Sequence, residues 1–106
     1  GEIMNYCNRN QIAPKLANRI NLAFEETTQL LVATLERPLV QAVCEYSEQT
    51  EDAEWTFHYA GPRMDLTRTD DDIALSVLKG MTEDMAYTWQ EDDALPNMLR
   101  LKVRHA

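Results

Sequence analysis

Three consecutive aspartates, Asp70, Asp71 and Asp72, carry the oxygen ligands that a bound cation would need. The run also precedes an apolar helical pattern, where acids in the first turn complement the helix dipole by roughly 0.3–1 kcal/mol each. His58 lies on the polar phase of a strand and has no second histidine near it in sequence. We therefore interpret the aspartates as a helix cap and His58 as a surface residue, and the sequence predicts no metal site.

Nucleophilic catalysis finds no support in the residue pattern. The two cysteines, Cys7 and Cys44, sit in apolar contexts without a CxxC spacing or a nearby basic activator, and no Ser–His–Asp arrangement can be argued. Buried free thiols in a reducing compartment are the expected state, with a single disulfide as the alternative.

The charge balance excludes some partner classes. Ten basic and eighteen acidic residues give a formal charge of −8, which repels nucleic acid and anionic lipid. Arg100, Lys102 and Arg104 alternate along one predicted strand face, which we interpret as a solvated sheet face. No apolar run suits a membrane span and no leader is recognised, so we expect a cytoplasmic protein without direct membrane insertion. Because the chain starts at Gly1, it could be a piece of a longer protein.

Apolar spacing predicts seven elements. A period near four indicates helices over residues 2–12 and 15–36 and another over 73–81, which a cap at Thr69 to Asp72 would begin. A period of two indicates strands over residues 39–46, 54–60, 85–89 and 99–103, joined as two hairpins.

The order helix, helix, strand, strand, helix, strand, strand predicts one domain over residues 1–106 in the α+β class. Amphipathic strands and helices bury their apolar faces by stacking, so we expect a two-layer sandwich with a four-stranded, mainly antiparallel sheet covered on one face by two or three helices. Five aromatic residues on single faces of two strands should belong to the core: Trp55, Phe57, Tyr59, Tyr87 and Trp89.

Three stretches resemble the GHKL superfamily, which contains histidine-kinase-type ATPases and anti-sigma-factor kinases. LANRINLAFEETTQLL resembles the helix in which a glutamate precedes an asparagine by four residues, and EWTFHYAG resembles the strand that ends in Asp-x-Gly. DDIALSVLKGMTEDMAYTW with NMLRLKVR resembles the closing helix and hairpin. The resemblance covers nearly the whole chain. More narrowly, the chain resembles the small accessory domain fused to some bacterial ABC transporter ATP-binding subunits.

The resemblance implies a role for five residues. Glu25 falls on the glutamate that polarises the attacking water, and Gln29 falls on the asparagine that binds magnesium. Their spacing puts both on one helical face. Tyr59 replaces the adenine-reading aspartate, Gly61 follows it in the Asp-x-Gly position, and Asp72 falls in the second glycine box.

Four departures from the family pattern predict that nucleotide hydrolysis is lost. Gln29 adds a methylene where magnesium needs near-ideal octahedral ligands. Tyr59 replaces a carboxylate with a ring, and the aspartate run replaces Gly-x-Gly and would face phosphate with like charge. About nine residues separate Gly61 from Asp71, too few for a nucleotide lid. We expect Tyr59 to fill the former adenine site, bonded to a polar group of the long helix or to a backbone carbonyl beside Gly61.

The sequence therefore predicts a non-catalytic regulatory or interaction module with a degenerate histidine-kinase-type ATPase fold. It would bind a protein partner or another domain of its parent chain and need no cofactor; its oligomeric state is not predicted. The alternative is an ATP-binding serine kinase of the anti-sigma-factor type, in which Glu25 acts and Gln29 holds magnesium through a water. A third possibility is an unrelated α+β binding domain.

Overall fold

This computed structural model describes residues 1–70 and 72–105, and its helices and strands follow the predicted order. The elements are α1 (Glu2–Arg9), α2 (Pro14–Thr34), β1 (Val40–Ser47), β2 (Asp52–Tyr59), a single turn of 3-10 helix (Leu66–Arg68), α3 (Asp72–Met81), β3 (Thr82–Trp89) and β4 (Asn97–Val103). The 3-10 turn falls in a stretch for which the sequence predicted no regular element. Within the described residues, no helix is both long and apolar enough to cross a membrane.

The helix α2 begins at one proline and ends before the next. Pro14 lies in the first turn, where its missing N–H removes no helical hydrogen bond. The chain leaves the helix at Leu35, which is extended with φ −91° and ψ 133°, before Pro38 is reached. The inward face of α2 carries its buried residues: Leu16, Ala17, Ile20, Ala23, Thr27, Leu30 and Leu31.

The four strands form one antiparallel sheet in the order β1-β2-β4-β3. Both predicted hairpins are confirmed, because β1 pairs with β2 and β3 pairs with β4. The two hairpins join through β2 and β4, where Trp55 lies opposite Leu101 and Phe57 lies opposite Leu99. An irregularity between Thr82 and Asp84 interrupts the register of β3. The strands β1 and β3 are consequently the edges of the sheet.

Helices cover one face of the sheet, so the predicted two-layer α+β fold is confirmed. Trp55, Phe57 and Tyr59 alternate along β2 and are buried on the helix side. The indole Nε1 of Trp55 donates a hydrogen bond of 2.9 Å to the carbonyl of Ile20 in α2. The rings of Trp55 and Phe24 have centroids 5.1 Å apart, which fixes α2 against the centre of the sheet.

The aromatic residues of β3 are less buried than those of β2. Tyr87 and Trp89 are half-buried, and the guanidinium of Arg63 lies 5.3 Å from the centroid of the Trp89 ring. The predicted aromatic core is therefore confirmed for β2 and only in part for β3, because β3 is an edge strand of the sheet.

Charged residues occupy the face of the sheet that the helices leave uncovered. Lys102 lies within 3.6 Å of Glu83 and 3.8 Å of Asp52, and Arg100 is exposed. The interpretation of the basic triplet as a solvated sheet face holds for these two residues. Arg104 lies just past β4 and donates to the carbonyl of Thr82 at 3.1 Å, so it closes the end of the sheet instead.

Candidate functional site

A groove of about 390 Å³ lies between α2 and α3. Its walls are mostly apolar and carry two polar residues, Glu26 and Gln29. The apolar lining consists of Leu30, Ala33, Ile73, Ala74 and Val77. Of the residues that the sequence singled out, Gln29 lines this groove directly and Asp72 is the first residue of α3, one position before Ile73.

The helix α3 carries more apolar surface than the core uses. Leu78 is buried completely, and Ala74 and Met81 pack on the core from the same side of the helix. Ile73 and Val77 form a neighbouring stripe that faces away from the core, with 80% and 41% of their surface exposed. The sequence pattern grouped both stripes as one amphipathic face, and the structure separates them.

Glu25 and Gln29 lie on the side of α2 that faces solvent. Both are exposed, so the prediction that the two share one helical face is confirmed. The carboxylate of Glu25 accepts a hydrogen bond of 3.2 Å from the side chain of Asn21, one turn earlier. Glu26, which the sequence analysis did not single out, lines the groove beside Gln29 in place of Glu25.

Tyr59 is fully buried at the end of β2. The expected burial is confirmed. The Tyr59 hydroxyl donates a hydrogen bond of 2.5 Å to the backbone carbonyl of Met64, which lies further along the loop than the expected acceptor beside Gly61. Burial above all, followed by Tyr87 and Asp65, raises the pKa of Tyr59, which keeps the hydroxyl protonated as a donor. Within the described residues, no hydrogen bond joins Tyr59 to Glu25 or Gln29.

Asn97 organises the polar contacts around Tyr59 and was missed by the sequence analysis. It is fully buried at the start of β4, directly opposite Tyr59. Its side-chain Nδ2 donates to the carbonyls of Tyr59 at 3.1 Å and Pro62 at 3.2 Å. Its Oδ1 accepts from the N–H of Met64 at 2.9 Å and from the Tyr87 hydroxyl at 2.5 Å. One amide therefore holds the loop after β2 against two strands.

A sequence signal for Asn97 did exist. The residue lies in the same strand phase as Leu99, Leu101 and Val103, so an amide stands where the alternation calls for an apolar side chain. A buried amide needs partners for both its donors and its acceptor, which predicts a hydrogen-bond network at this end of the strand.

Gly61 lies two residues beyond Tyr59, at the surface. Its φ of 105° is one that residues with side chains rarely adopt, so glycine is needed to turn the chain out of the sheet. A Cβ at this position would lie 3.5 Å from Cδ2 of Leu35, just past the end of α2. The structure thus separates the five predicted residues: Gln29 lines the groove and Asp72 begins α3. Tyr59 is buried in the core, whereas Gly61 and Glu25 are exposed.

The predicted cap of α3 depends in part on Asp71, which lies outside the described residues. Asp70 is exposed, and the helix begins at Asp72. Among the described residues, no group of three or more histidine, cysteine, aspartate and glutamate side chains could hold a metal ion.

Both cysteines are free thiols, Cys7 buried and Cys44 half-buried. Cys44 lines a smaller cleft of about 180 Å³ beneath α1, together with Ile3, Tyr6 and Trp55. Burial, followed by the neighbouring Cys7 and Glu45, raises the pKa of Cys44 to about 12. The thiol is therefore a weak nucleophile at neutral pH.

Comparison of this chain with known proteins finds no matching family model, no matching curated protein and no matching solved structure. The resemblance to the GHKL superfamily accordingly depends on the residues quoted for it, and the function must be argued from the geometry of the chain itself.

Proposed function

We propose that this domain is a non-catalytic regulatory or interaction module with a degenerate histidine-kinase-type ATPase fold. It works in the bacterial cytoplasm within an ABC transporter ATP-binding protein, and it binds a protein partner or another domain of that chain. It needs neither ATP nor magnesium. Its charge of −8 repels the phosphate backbone of nucleic acid.

The observation that carries this proposal is the burial of Tyr59. The resemblance assigns an adenine-reading carboxylate to this position, and that carboxylate must reach an open pocket. Tyr59 instead has no exposed surface, and its hydroxyl is already bonded to the carbonyl of Met64. A buried ring on the same face of β2 as Trp55 and Phe57 supplies no acceptor to a nucleotide.

The charge of the α2–α3 groove supports the same conclusion. Of the described residues that line it, Glu26 alone is charged. A nucleotide triphosphate would meet a carboxylate there without a lysine or arginine to offset its charge, and like charges repel strongly in a partly dry site. Apolar side chains such as Ile73 and Val77 suit the surface of another protein better than a phosphate chain.

Titration calorimetry with ATP and magnesium tests the proposal. We expect no saturable heat up to millimolar ATP, for the parent protein and for a Gln29→Asn variant that restores the amide the resemblance calls for. Magnesium alone and ADP are the matched titrants. Binding tighter than about 100 μM, equivalent to roughly 5.5 kcal/mol, would contradict the proposal. Tighter binding in Gln29→Asn than in the parent would favour the serine-kinase alternative.

A further inference from the structure

The α2–α3 groove exposes an apolar surface that the domain does not use for its own core. Ile73 and Val77, which line it, are 80% and 41% exposed. Leaving such side chains in water costs about 25 cal/mol for each Å² of apolar surface. Grouped apolar residues in a concave site between two helices are typical of a surface that another protein covers.

The dimensions of the groove suit one additional helix. On α3, Ile73 and Val77 are one turn apart, about 6 Å at 1.5 Å per residue. On α2, the polar and apolar lining runs from Glu26 to Ala33, about 10 Å by the same rise. About two turns of a helix, at about 5.4 Å per turn, would fill this length with side chains at spacings of three and four residues.

The charges around the groove indicate what the edges of that helix must carry. Glu26 lies in the lining, Glu25 is exposed on the adjoining face of α2, and Asp70 is exposed just before α3. Lys79, the basic residue of α3, lies at a different cleft with Thr67 and Arg104. The charged residues on the α2 side of the groove are thus acidic, which favours a partner with lysine or arginine beside its apolar face.

We propose that the α2–α3 groove binds a basic amphipathic helix of a partner protein, which inserts its apolar side chains between Val77 and Leu30. Its basic residues then lie beside Glu25 and Glu26. The inference rests on the proposed role as an interaction module and specifies the chemistry of the partner. A second copy of this chain is a poorer occupant, because two molecules of charge −8 repel each other. An anionic membrane is disfavoured by the same charge.

Two labelled model peptides test this proposal by fluorescence anisotropy. Both repeat leucine at one helical face; lysine fills the other positions in the first, and glutamate fills them in the second. We expect the leucine–lysine peptide to bind at least about tenfold more tightly than the leucine–glutamate peptide, with affinity falling as salt rises. Equal affinities would overturn the proposed charge complementarity and with it the proposal.

Val77→Asp is the decisive variant, and Val43→Asp is its matched control. Both valines are 41% exposed, but Val43 lies on β1, away from the groove. We expect Val77→Asp to lower the affinity for the leucine–lysine peptide by about tenfold or more. Val43→Asp should change that affinity less than twofold. The new carboxylate would attract the basic peptide, so a loss of affinity can only report the lost apolar contact. Equal affinity for parent and Val77→Asp would overturn the proposal.

Two further measurements keep the outcomes distinct. Circular dichroism checks that each variant is folded, and Ile73→Asp replaces Val77→Asp if the latter is not. Sedimentation of the protein alone shows whether it dimerises; a dimer that Val77→Asp dissociates would make a second copy the occupant and overturn the proposal. If the protein binds neither the peptide nor ATP, only this inference is contradicted. If the protein binds ATP, the proposed function itself is contradicted.

Discussion

The side-chain amide of Asn97 donates a hydrogen bond of 3.1 Å to the carbonyl of Tyr59, the residue directly opposite it in the central strand pair. The same amide also bonds the backbone of Pro62 and Met64, so the loop after β2 is fixed by a residue from the last strand. The geometry of the loop between β2 and the 3-10 turn is therefore set by a residue of β4.

We expect Asn97→Ala to lower the free energy of unfolding by about 2–4 kcal/mol, because several buried polar groups lose their partner at once. Urea unfolding measures the loss, and hydrogen exchange should show faster exchange at residues 60–65. Asn18→Ala, which removes an exposed amide of α2, is the control and should change stability by less than about 0.5 kcal/mol. A loss below 1 kcal/mol for Asn97→Ala would contradict the prediction.

Tyr59→Asp should not create an ATP site and should destabilise the domain by about 3 kcal/mol or more, because it removes aromatic packing and buries a carboxyl group. Tyr59→Phe keeps the ring and loses only the bond to Met64, so we expect a loss of about 1 kcal/mol. Denaturant unfolding distinguishes the two. A Tyr59→Asp variant within about 0.5 kcal/mol of the parent would mean that the site is open after all.

Thr27→Val should stabilise the domain by about 1 kcal/mol. The Thr27 hydroxyl is buried on the inner face of α2 and has no hydrogen-bond partner among the described residues, so its removal ends a desolvation penalty. The neighbouring Thr28 is the control, because its hydroxyl donates to the carbonyl of Phe24 at 2.8 Å. Thermal and urea unfolding should give Thr27→Val a higher free energy of unfolding than the parent. The value for Thr28→Val should equal that of the parent or be lower.

Alkaline pH should destabilise the domain in part through Cys44. Burial raises the pKa of this thiol to about 12 in the folded protein, above the roughly 8.5 of an exposed cysteine. The folded state therefore holds the proton more tightly, and this contribution is complete below about pH 8.5 and is lost as pH rises towards 12. Tyr59, whose pKa is also raised, acts in the same direction.

Urea unfolding between pH 7 and 10 measures this dependence. We expect the unfolding free energy to fall above about pH 8.5, and Cys44→Ala to make that fall shallower even if it lowers stability at pH 7. Equal slopes for the parent and Cys44→Ala would contradict the assignment. Alkylation of Cys44 by iodoacetamide at pH 8 should also be roughly 100-fold slower than that of an exposed thiol.

The sequence predicts the elements of this fold well because each is encoded by local spacing. The stripe of α2 and the alternation of Trp55, Phe57 and Tyr59 need no information from distant residues. The position of β4 between β2 and β3 was not predicted, because pairing between distant strands depends on the whole sheet and not on a local pattern.

The candidate site was harder to predict than the fold. Burial of Tyr59 followed from its strand phase, but its Met64 acceptor lies on a loop whose path depends on Asn97. On α3, periodicity groups Val77 with Leu78, and only packing against α2 and the sheet shows that Leu78 is buried and Val77 exposed. The elements that pack against a helix decide which of its apolar residues are buried, and the sequence of the helix alone does not show this.

The strand order also has a consequence for how the chain folds. Within the described residues, β3 pairs only with β4, and the Trp55–Phe57 segment of β2 has β4 as its second neighbour, with Trp55 opposite Leu101 and Phe57 opposite Leu99. During synthesis on a ribosome, residues 1–96 could form the first hairpin. The strand β3 would have no pairing partner until residues 97–103 had been synthesised. We expect the domain to fold late and in one cooperative step, since its central contacts join distant parts of the chain.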